Sequence, residues 1–318
     1  MFIKKIFISG AAGFIGSHLT EFLFKCYPKV KFILLDKLTY AANIKYLDNI
    51  LSSNRVTFVK KDLINFNFLK KYLNETDLAI NVAAESHVDN SFGNSLIFTK
   101  TNTLGTHSFL ESCRLNKVKK IIHVSTDEVY GENNGVAFNE KRFLNPTNPY
   151  SASKAGGDMI VNSYIHSYKM PINIIRANNI FGTRQYPEKL ISKTIYNFLT
   201  KQKMTIHGNG NYYRHYLAVE DFCKGMLAII KKGKTSDIYN VSSNDCYKVT
   251  DIVKMISKQL NINYMNNIIF IKDRPFNDKI YRINSLKLRR LKWKPTIKLS
   301  ERISFLCDWY RNNLKLFN

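Results

Sequence analysis

Long apolar runs, paired cysteines, glycine, proline and negative charge are all scarce in this 318-residue chain. No stretch approaches the roughly 18 consecutive apolar residues that cross a bilayer, and residues 1–10 read as a strand rather than a secretory leader, so a soluble protein with no membrane partner is expected. The five cysteines, Cys26, Cys113, Cys223, Cys246 and Cys307, are odd in number, widely spaced and never form a C-x-x-C pair. That pattern suggests neither a disulfide framework nor a zinc site, and it fits a reducing cytoplasm. Only 14 glycines and 7 prolines stand beside 45% apolar and 13% aromatic residues. Such a composition supports a large buried core and excludes collagenous, disordered or linker-dominated chains.

Acids number 24 against 48 Lys plus Arg, which leaves a formal charge of +24. So large an excess raises a nucleic-acid reading. The charge is spread, however: Lys4-Lys5, Lys60-Lys61, Lys70-Lys71, Lys119-Lys120 and Lys231-Lys232 are scattered doublets, with no basic run of five and no alternation with aromatics. Solvated lysines on helix faces are therefore expected, without a nucleic-acid partner; an anionic small substrate would still gain from the field.

What is present is an alternation. Apolar β-rich runs at 7–9, 32–36, 56–59, 78–82, 121–125 and 172–176 are separated by helical patterns at 14–26, 97–115 and 150–168, the last entered through Pro149, whose missing N–H costs nothing in a first turn. Strands spaced by amphipathic helices predict an α/β fold, a Rossmann-type doubly wound parallel sheet. Past residue 180 the pattern is mixed, with helices near 190–201, 219–231, 250–260 and 299–312 between short strands. This predicts a smaller mixed α/β substrate-binding lobe. The expected division is a dinucleotide domain over 1–180 with a return segment at about 216–242, and a lobe from 181–215 and 243–318, sharing an interface because no Pro/Ser linker separates them.

Gly10-Ala-Ala-Gly13-Phe14-Ile15-Gly16 follows the first strand and opens the first helix. Small residues there permit a tight turn and close approach of backbone to a pyrophosphate, and the helix N-terminus offers N–H donors and positive dipole. Asp36 ends the second strand 20 residues after Gly16, where a carboxylate binds a ribose diol and repels a 2′-phosphate. NAD is therefore expected over NADP, although Lys37 beside it tempers that inference. The GxxGxxG spacing points to the short-chain dehydrogenase variant of the fold; a glycine turn with no ligand is the bland alternative.

Tyr150 and Lys154 stand four apart on one helix face. A phenol with an ordinary pKa of about 10 is a poor base near neutrality, and an ammonium one turn away, together with an oxidised nicotinamide, stabilises its phenolate. Thr126 leaves the sheet at the end of the 121–125 strand, where its hydroxyl can bind the same substrate oxygen. Beside it lie Asp127 and Glu128. Two acids in a loop are by default a cap or a surface ion pair, but at the carboxyl end of a central parallel strand they can divide protonation and deprotonation between them.

Ser125-Thr-Asp-Glu-Val-Tyr-Gly131 resembles the segment that distinguishes nucleotide-sugar 4,6-dehydratases of the extended short-chain dehydrogenase group from their sister 4-epimerases. The resemblance spans essentially the whole chain and includes Asp36-Lys-Leu-Thr-Tyr40, Ala83-Ala-Glu-Ser-His-Val-Asp89, Asn148-Pro-Tyr-Ser-Ala-Ser-Lys154, Tyr186-Pro-Glu-Lys-Leu190, Ile206-His-Gly208 and Val219-Glu-Asp221. Within that family, His87–Asn94, Arg176–Gly182 and Arg274-Pro-Phe-Asn-Asp278 are most similar to the UDP-glucose dehydratase domain of plant rhamnose synthases. Bacterial dTDP-glucose enzymes usually show Gly-His in place of Phe276-Asn277 and Arg-Asp-Trp in place of Arg214-His215-Tyr216.

The resemblance implies a reaction: Tyr150 as base at the sugar C4 hydroxyl, Glu128 as base at C5, Asp127 as acid at the C6 hydroxyl, and NAD regenerated each turn. It extends the NAD set from Gly10, Gly13, Phe14, Ile15, Gly16 and Asp36 to Lys37, Thr39, Asp62, Leu63, Ala83, Ala84, Thr101, Tyr150 and Lys154. For the nucleotide sugar it implies Ser86, Thr126, Asn179, Glu188, Lys189, Leu190, Ile206, Arg214, Asn244, Arg274 and Asn277. Arg214 and Arg274 would take the diphosphate, since a guanidinium fork suits phosphate oxygens; a structural carboxylate partner is the alternative for each.

His87, His123, His207 and His215 form no metal spacing, and His123 in a strand is expected to be a core residue. Phe305, Trp309 and Tyr310 lie at helical spacing and are expected to be core. In similar proteins the 97–115 and 150–168 helices pair subunits, which implies a homodimer; from the sequence they could equally pack internally. The rival functions are a dTDP-sugar dehydratase, a 4-epimerase, and a dinucleotide sensor or nucleic-acid-binding protein on the same fold.

Overall fold

The computed structural model describes residues 2–133 and 135–317. Twelve strands are assigned among them: β1 (Lys5–Ser9), β2 (Lys31–Asp36), β3 (Val56–Lys60), β4 (Leu78–Asn81), β5 (Lys120–Thr126), β6 (Ile172–Ala177), β7 (Asn179–Phe181), β8 (Met204–His207), β9 (Tyr213–Ala218), β10 (Ile238–Val241), β11 (Cys246–Lys248) and β12 (Ile268–Ile271). Seven form the main sheet in the order β10-β6-β5-β4-β1-β2-β3, every neighbouring pair parallel. This is the expected doubly wound sheet.

Parallel strands covered on both faces read as continuous apolar runs, and β4 and β6 are buried at every position. Side chains still alternate between faces: Ile6 and Ile8 pack with Leu19 and Leu23 of the Phe14–Cys26 helix and with Phe222, Met226 and Ile229 of the Val219–Lys232 helix. Phe7, between them, packs on the other side with Phe109, Leu110, Val161 and Tyr164. β1 is followed on one side by β2 and on the other by β4, so the strand order reverses there and leaves a crevice at the carboxyl ends.

A three-stranded sheet, β11-β9-β7, and the parallel pair β12-β8 lie above those ends. Their core holds Phe181, Ile191, Ile195, Ile206, Ile252, Ile256, Leu306 and Tyr310. Three sequence expectations need correction. The 97–115 helix is not one α-helix: Ser95–Phe98 and Gly105–Leu115 are α-helical, and Thr99–Leu104 between them is a wider π turn. The fourth strand ends at Asn81, one residue short of the 78–82 run. Phe305 is 47% exposed, because the buried stripe of the Leu299–Asn312 helix runs through Leu299, Ile303, Leu306, Cys307 and Tyr310 and leaves Phe305 outside, under the Arg302 guanidinium. Trp309 is half-buried beside Tyr310. No helix among the described residues is long and apolar enough to cross a membrane.

Candidate active site

The glycine turn at the end of β1 is shaped by backbone contact. Gly10 has φ +68°, and a Cβ there would lie 2.7 Å from Ala83 Cα; a Cβ on Gly16 would lie 1.9 Å from the Gly10 carbonyl oxygen. Only glycine fits either position. The Phe14–Cys26 helix opens at Gly13 with no side-chain cap, so first-turn amides face the crevice as free donors. Asp36, at the end of β2, accepts from the Ala12 and Leu38 N–H groups at 3.0 and 2.8 Å, which fixes its carboxylate beside that turn. Burial pushes its pKa up, against the two amides and Lys37. Lys37 is itself engaged, 3.2 Å from Glu85, 3.9 Å from Asp62 and 3.2 Å from the Thr101 hydroxyl.

All the sequence-predicted cofactor residues line one cleft over this turn, from Gly10, Gly13, Phe14, Ile15 and Gly16 through Asp36, Lys37, Thr39, Asp62, Leu63, Ala83, Ala84 and Thr101 to Tyr150 and Lys154. The features fit NAD: uncapped amides for the pyrophosphate, glycines that leave room for it, and a fixed carboxylate with spare lone pairs for the adenosine ribose.

A second cleft joins the first at Tyr150 and is roofed by the smaller lobe. It is lined by Ser86, Thr126, Glu128, Asn179, Glu188, Lys189, Leu190, Ile206, Arg214, Arg274 and Asn277. Asn244 is the exception among the predicted substrate residues. It is exposed in the turn between β10 and β11 and lines neither cleft, because this turn points its neighbour Ser243 inward to the Asn178 side chain.

Tyr150 enters on the Pro149–Tyr168 helix, which Asn148 starts with a capping box closed by Ser151. Burial raises the Tyr150 pKa well above its usual range, Glu128 adds to this, and hydrogen bonding with Thr126 opposes it. Lys154, one turn on, donates to the Val124 carbonyl at 2.7 Å. Burial lowers its pKa to about 8, against the pull of Asp158. Thr126 ends β5 and caps the turn that carries both acids, accepting from the Glu128 N–H at 3.3 Å. Glu128 faces the cleft, with the Asn148 amide 3.5 Å away, and burial raises its pKa while Lys189 and Arg214 lower it. Asp127 sits behind Thr126, 3.2 Å from its hydroxyl, and accepts from Asn178 at 2.8 Å. Burial, reinforced by Glu128, pushes its pKa up to about 7. The arrangement thus joins a buried phenol–ammonium pair to two carboxyls with raised pKa values, a set suited to proton transfer in both directions.

The two arginines differ. Arg214 donates to the Tyr213 carbonyl and to Asn277 and lies 4.9 Å over the Tyr281 ring, with no carboxylate partner among the described residues. Arg274 has one: its Nε lies 2.6 Å from Asp89 Oδ1 and its Nη2 donates to Oδ2 at 3.0 Å.

Tyr281, Asn178 and the side chain of Asn148 were not singled out for roles from the sequence. The N-cap position of Asn148, just before Pro149, was a readable signal. Tyr281 had none: it reaches the cleft from a loop remote in sequence and is bonded to Asp278. His123 is fully buried, 3.3 Å from Asn81 and 3.5 Å from Asp158. Among the described residues, no cluster of His, Cys, Asp and Glu could hold a metal ion.

Residues 7–305 match the family model described as GDP-mannose 4,6 dehydratase. A dTDP-D-glucose 4,6-dehydratase of Dictyostelium discoideum is 41% identical over 98% of this chain and 83% of its own length. An Arabidopsis thaliana trifunctional UDP-glucose 4,6-dehydratase/3,5-epimerase/reductase is 42% identical over 98% of this chain, which spans only 47% of that longer protein. The crystal structure of a Streptomyces venezuelae dTDP-glucose 4,6-dehydratase with NAD bound superposes with a TM-score of 0.96 at 31% identity over 99% of both chains. The sheet, the phenol–ammonium pair beside a dinucleotide cleft, and these relationships together establish that the chain belongs to the NAD-dependent nucleotide-sugar 4,6-dehydratase family.

Proposed function

We propose that the protein converts UDP-glucose to UDP-4-keto-6-deoxyglucose and water. The observation that carries the reaction class is the meeting of Thr126 and Glu128 at the end of β5 with Tyr150 and Lys154 where the two clefts join, with Asp127 buried directly behind Thr126 and lining neither cleft. Bound NAD would supply a hydride acceptor for the sugar C4 and a donor of the same hydride to C6, as Glu128 hands its proton back to C5. Tyr150 takes the proton of the C4 hydroxyl, whose oxygen Thr126 holds. The Lys154 ammonium and the positive nicotinamide offset the burial that otherwise keeps Tyr150 a phenol. With a ketone at C4 the C5 proton is acidic; Glu128 removes it, and Asp127 protonates the C6 oxygen as water leaves. A carboxyl with a pKa of about 7 is half protonated near neutrality, which suits an acid that must be reloaded every turn. A 4-epimerase needs neither acid.

In this reading NAD belongs to residues 1–180 with the 216–242 return segment, and the nucleotide sugar to 181–215 and 243–318 without Asn244. The free thiols are consistent with a cytoplasmic enzyme. The exposed Leu96, Leu104 and Met159 support a homodimer through the two helices that carry or flank them. The preference for UDP rests on Phe276-Asn277 and the segments around Asn94 and Asn179. The second reading, dTDP-glucose, is favoured by what the Dictyostelium and Streptomyces relatives are named to act on. Uracil and thymine differ by one methyl group, and a pocket distinguishes a methyl by only about 1–3 kcal/mol, so a preference rather than exclusion is expected. Measured side by side at one pH and ionic strength, kcat/KM is expected to be higher for UDP-glucose. A higher value for dTDP-glucose would overturn the base assignment and leave the reaction class standing.

A further inference from the structure

Asp89 lies outside the chemistry described above, yet it is the point on which three segments of the substrate cleft converge. It stands in the Val88–Gly93 helix, on the Rossmann side, and its two oxygens face Arg274 from the loop after β12, 185 residues away. The His207 imidazole of β8 approaches it to 3.8 Å and that of His87 to 3.6 Å. All four residues line the cleft. The Asp89 carboxyl feels opposed influences: burial pushes its pKa up, and the Arg274 charge and hydrogen bond outweigh that and hold it down. It is therefore an anion facing a site expected to take an anion, and the charge closest to it is that of Arg274.

The geometry of the pair says how. Arg274 donates to Asp89 through one Nη2 hydrogen, its Nε lies within ion-pair distance of the other oxygen without a hydrogen bond of its own, and no partner is found for Nη1 among the described residues. A guanidinium has five N–H donors, and only one is spent on a hydrogen bond to Asp89, so both Nη1 hydrogens and the second Nη2 hydrogen are available to a second acceptor. Its plane is fixed by the two contacts already made, and a long side chain that is immobilised beforehand does not lose that freedom again on binding. We propose that Asp89 is a positioning residue, holding the Arg274 fork for the diphosphate of the nucleotide sugar and tying the smaller lobe to the Rossmann domain across the cleft mouth. This rests on the reading of Arg274 as a diphosphate contact.

The test uses the NAD-loaded protein, titrated with UDP and with uridine, which lacks the diphosphate. Asp89→Asn is expected to weaken UDP about tenfold, leave uridine within about twofold, and raise KM for the nucleotide sugar far more than it changes kcat. Equal weakening of uridine and UDP would show a lobe displaced as a whole and overturn the proposal, and so would unchanged or tighter UDP binding. Arg274→Ala separates the two levels. If it leaves UDP affinity unchanged, the diphosphate reading itself fails. If it weakens UDP while Asp89→Asn does not, only the positioning role fails. In the double variant the Asp89 change is expected to cost UDP nothing further.

Discussion

At the scale of single residues, the account turns on two adjacent acids with different surroundings. Glu128→Gln is expected to lower dehydration by roughly 10²–10⁴-fold, the usual worth of a positioned base, while C4 oxidation persists because it depends on Tyr150 and Lys154. Transient nicotinamide absorbance in a single turnover would show that oxidation, and exchange of the C5 proton with solvent deuterium is expected to vanish. Normal turnover by this variant would return the acids to a structural role. The pH dependence follows from the directions of shift. Asp127 must be protonated to act as acid, and with its pKa pushed up to about 7 the elimination rate is expected to fall as pH rises through that value. Glu128 must be ionised, and burial raises its pKa too, so its protonation is expected to lower the rate on the acid side. A pH–rate profile of the elimination step that stays flat through neutrality would contradict the assignment of Asp127. The paired acids, the phenol and the ammonium were legible in the sequence because they sit within four residues of each other or at a strand end. Tyr281 and the Asp89–Arg274 pair were not, since no local pattern reports a contact across 185 residues.

At the scale of elements, the helix carrying Tyr150 and Lys154 is held from behind by charge. Asp158, one turn past Lys154, accepts from Arg176 Nε of β6 at 2.9 Å, and both side chains are almost wholly buried. Removing one partner of such a pair strands the other in a medium that cannot solvate it, so Arg176→Ala is expected to cost about 3–5 kcal/mol of unfolding free energy. Arg302→Ala, which breaks a pair with Glu220 that lies partly open to solvent at the surface, is expected to cost about 0–1 kcal/mol. Urea titration of both variants checks the contrast. Of the elements themselves, β1, β4, β5 and β6 could be read from their apolar runs because both faces of a parallel sheet are buried there, and the edge strand β3 from a similar run although it is only half-buried. The strands of the smaller lobe could not, being three to six residues long and partly exposed. The π turn at Thr99–Leu104 left no sequence signal that separates it from a helix. It places Asn102 where its amide bonds both Glu85 backbone groups and Ser153, bracing the cofactor cleft against the catalytic helix.

At the scale of the whole molecule, the account has one fold doing two jobs at one seam: NAD over the strand ends, the nucleotide sugar under the smaller lobe, and Tyr150 at the join. Assembly is a separate expectation. Light scattering is expected to give twice the 36.9 kDa chain mass, and Leu104→Glu with Met159→Glu to give one chain mass; a wild-type monomer would remove the dimer from the account. The central claim is that the hydride taken from C4 is the one delivered to C6, so that the reaction is a dehydration with no net redox change. The most direct measurement is to supply UDP-glucose or dTDP-glucose bearing deuterium at C4 and to analyse the product by mass spectrometry and NMR while following nicotinamide absorbance. The account predicts a product lighter by one water, with the deuterium at C6 and no accumulation of NADH. Deuterium lost to solvent or to free NADH, with no loss of water from either sugar, would contradict it.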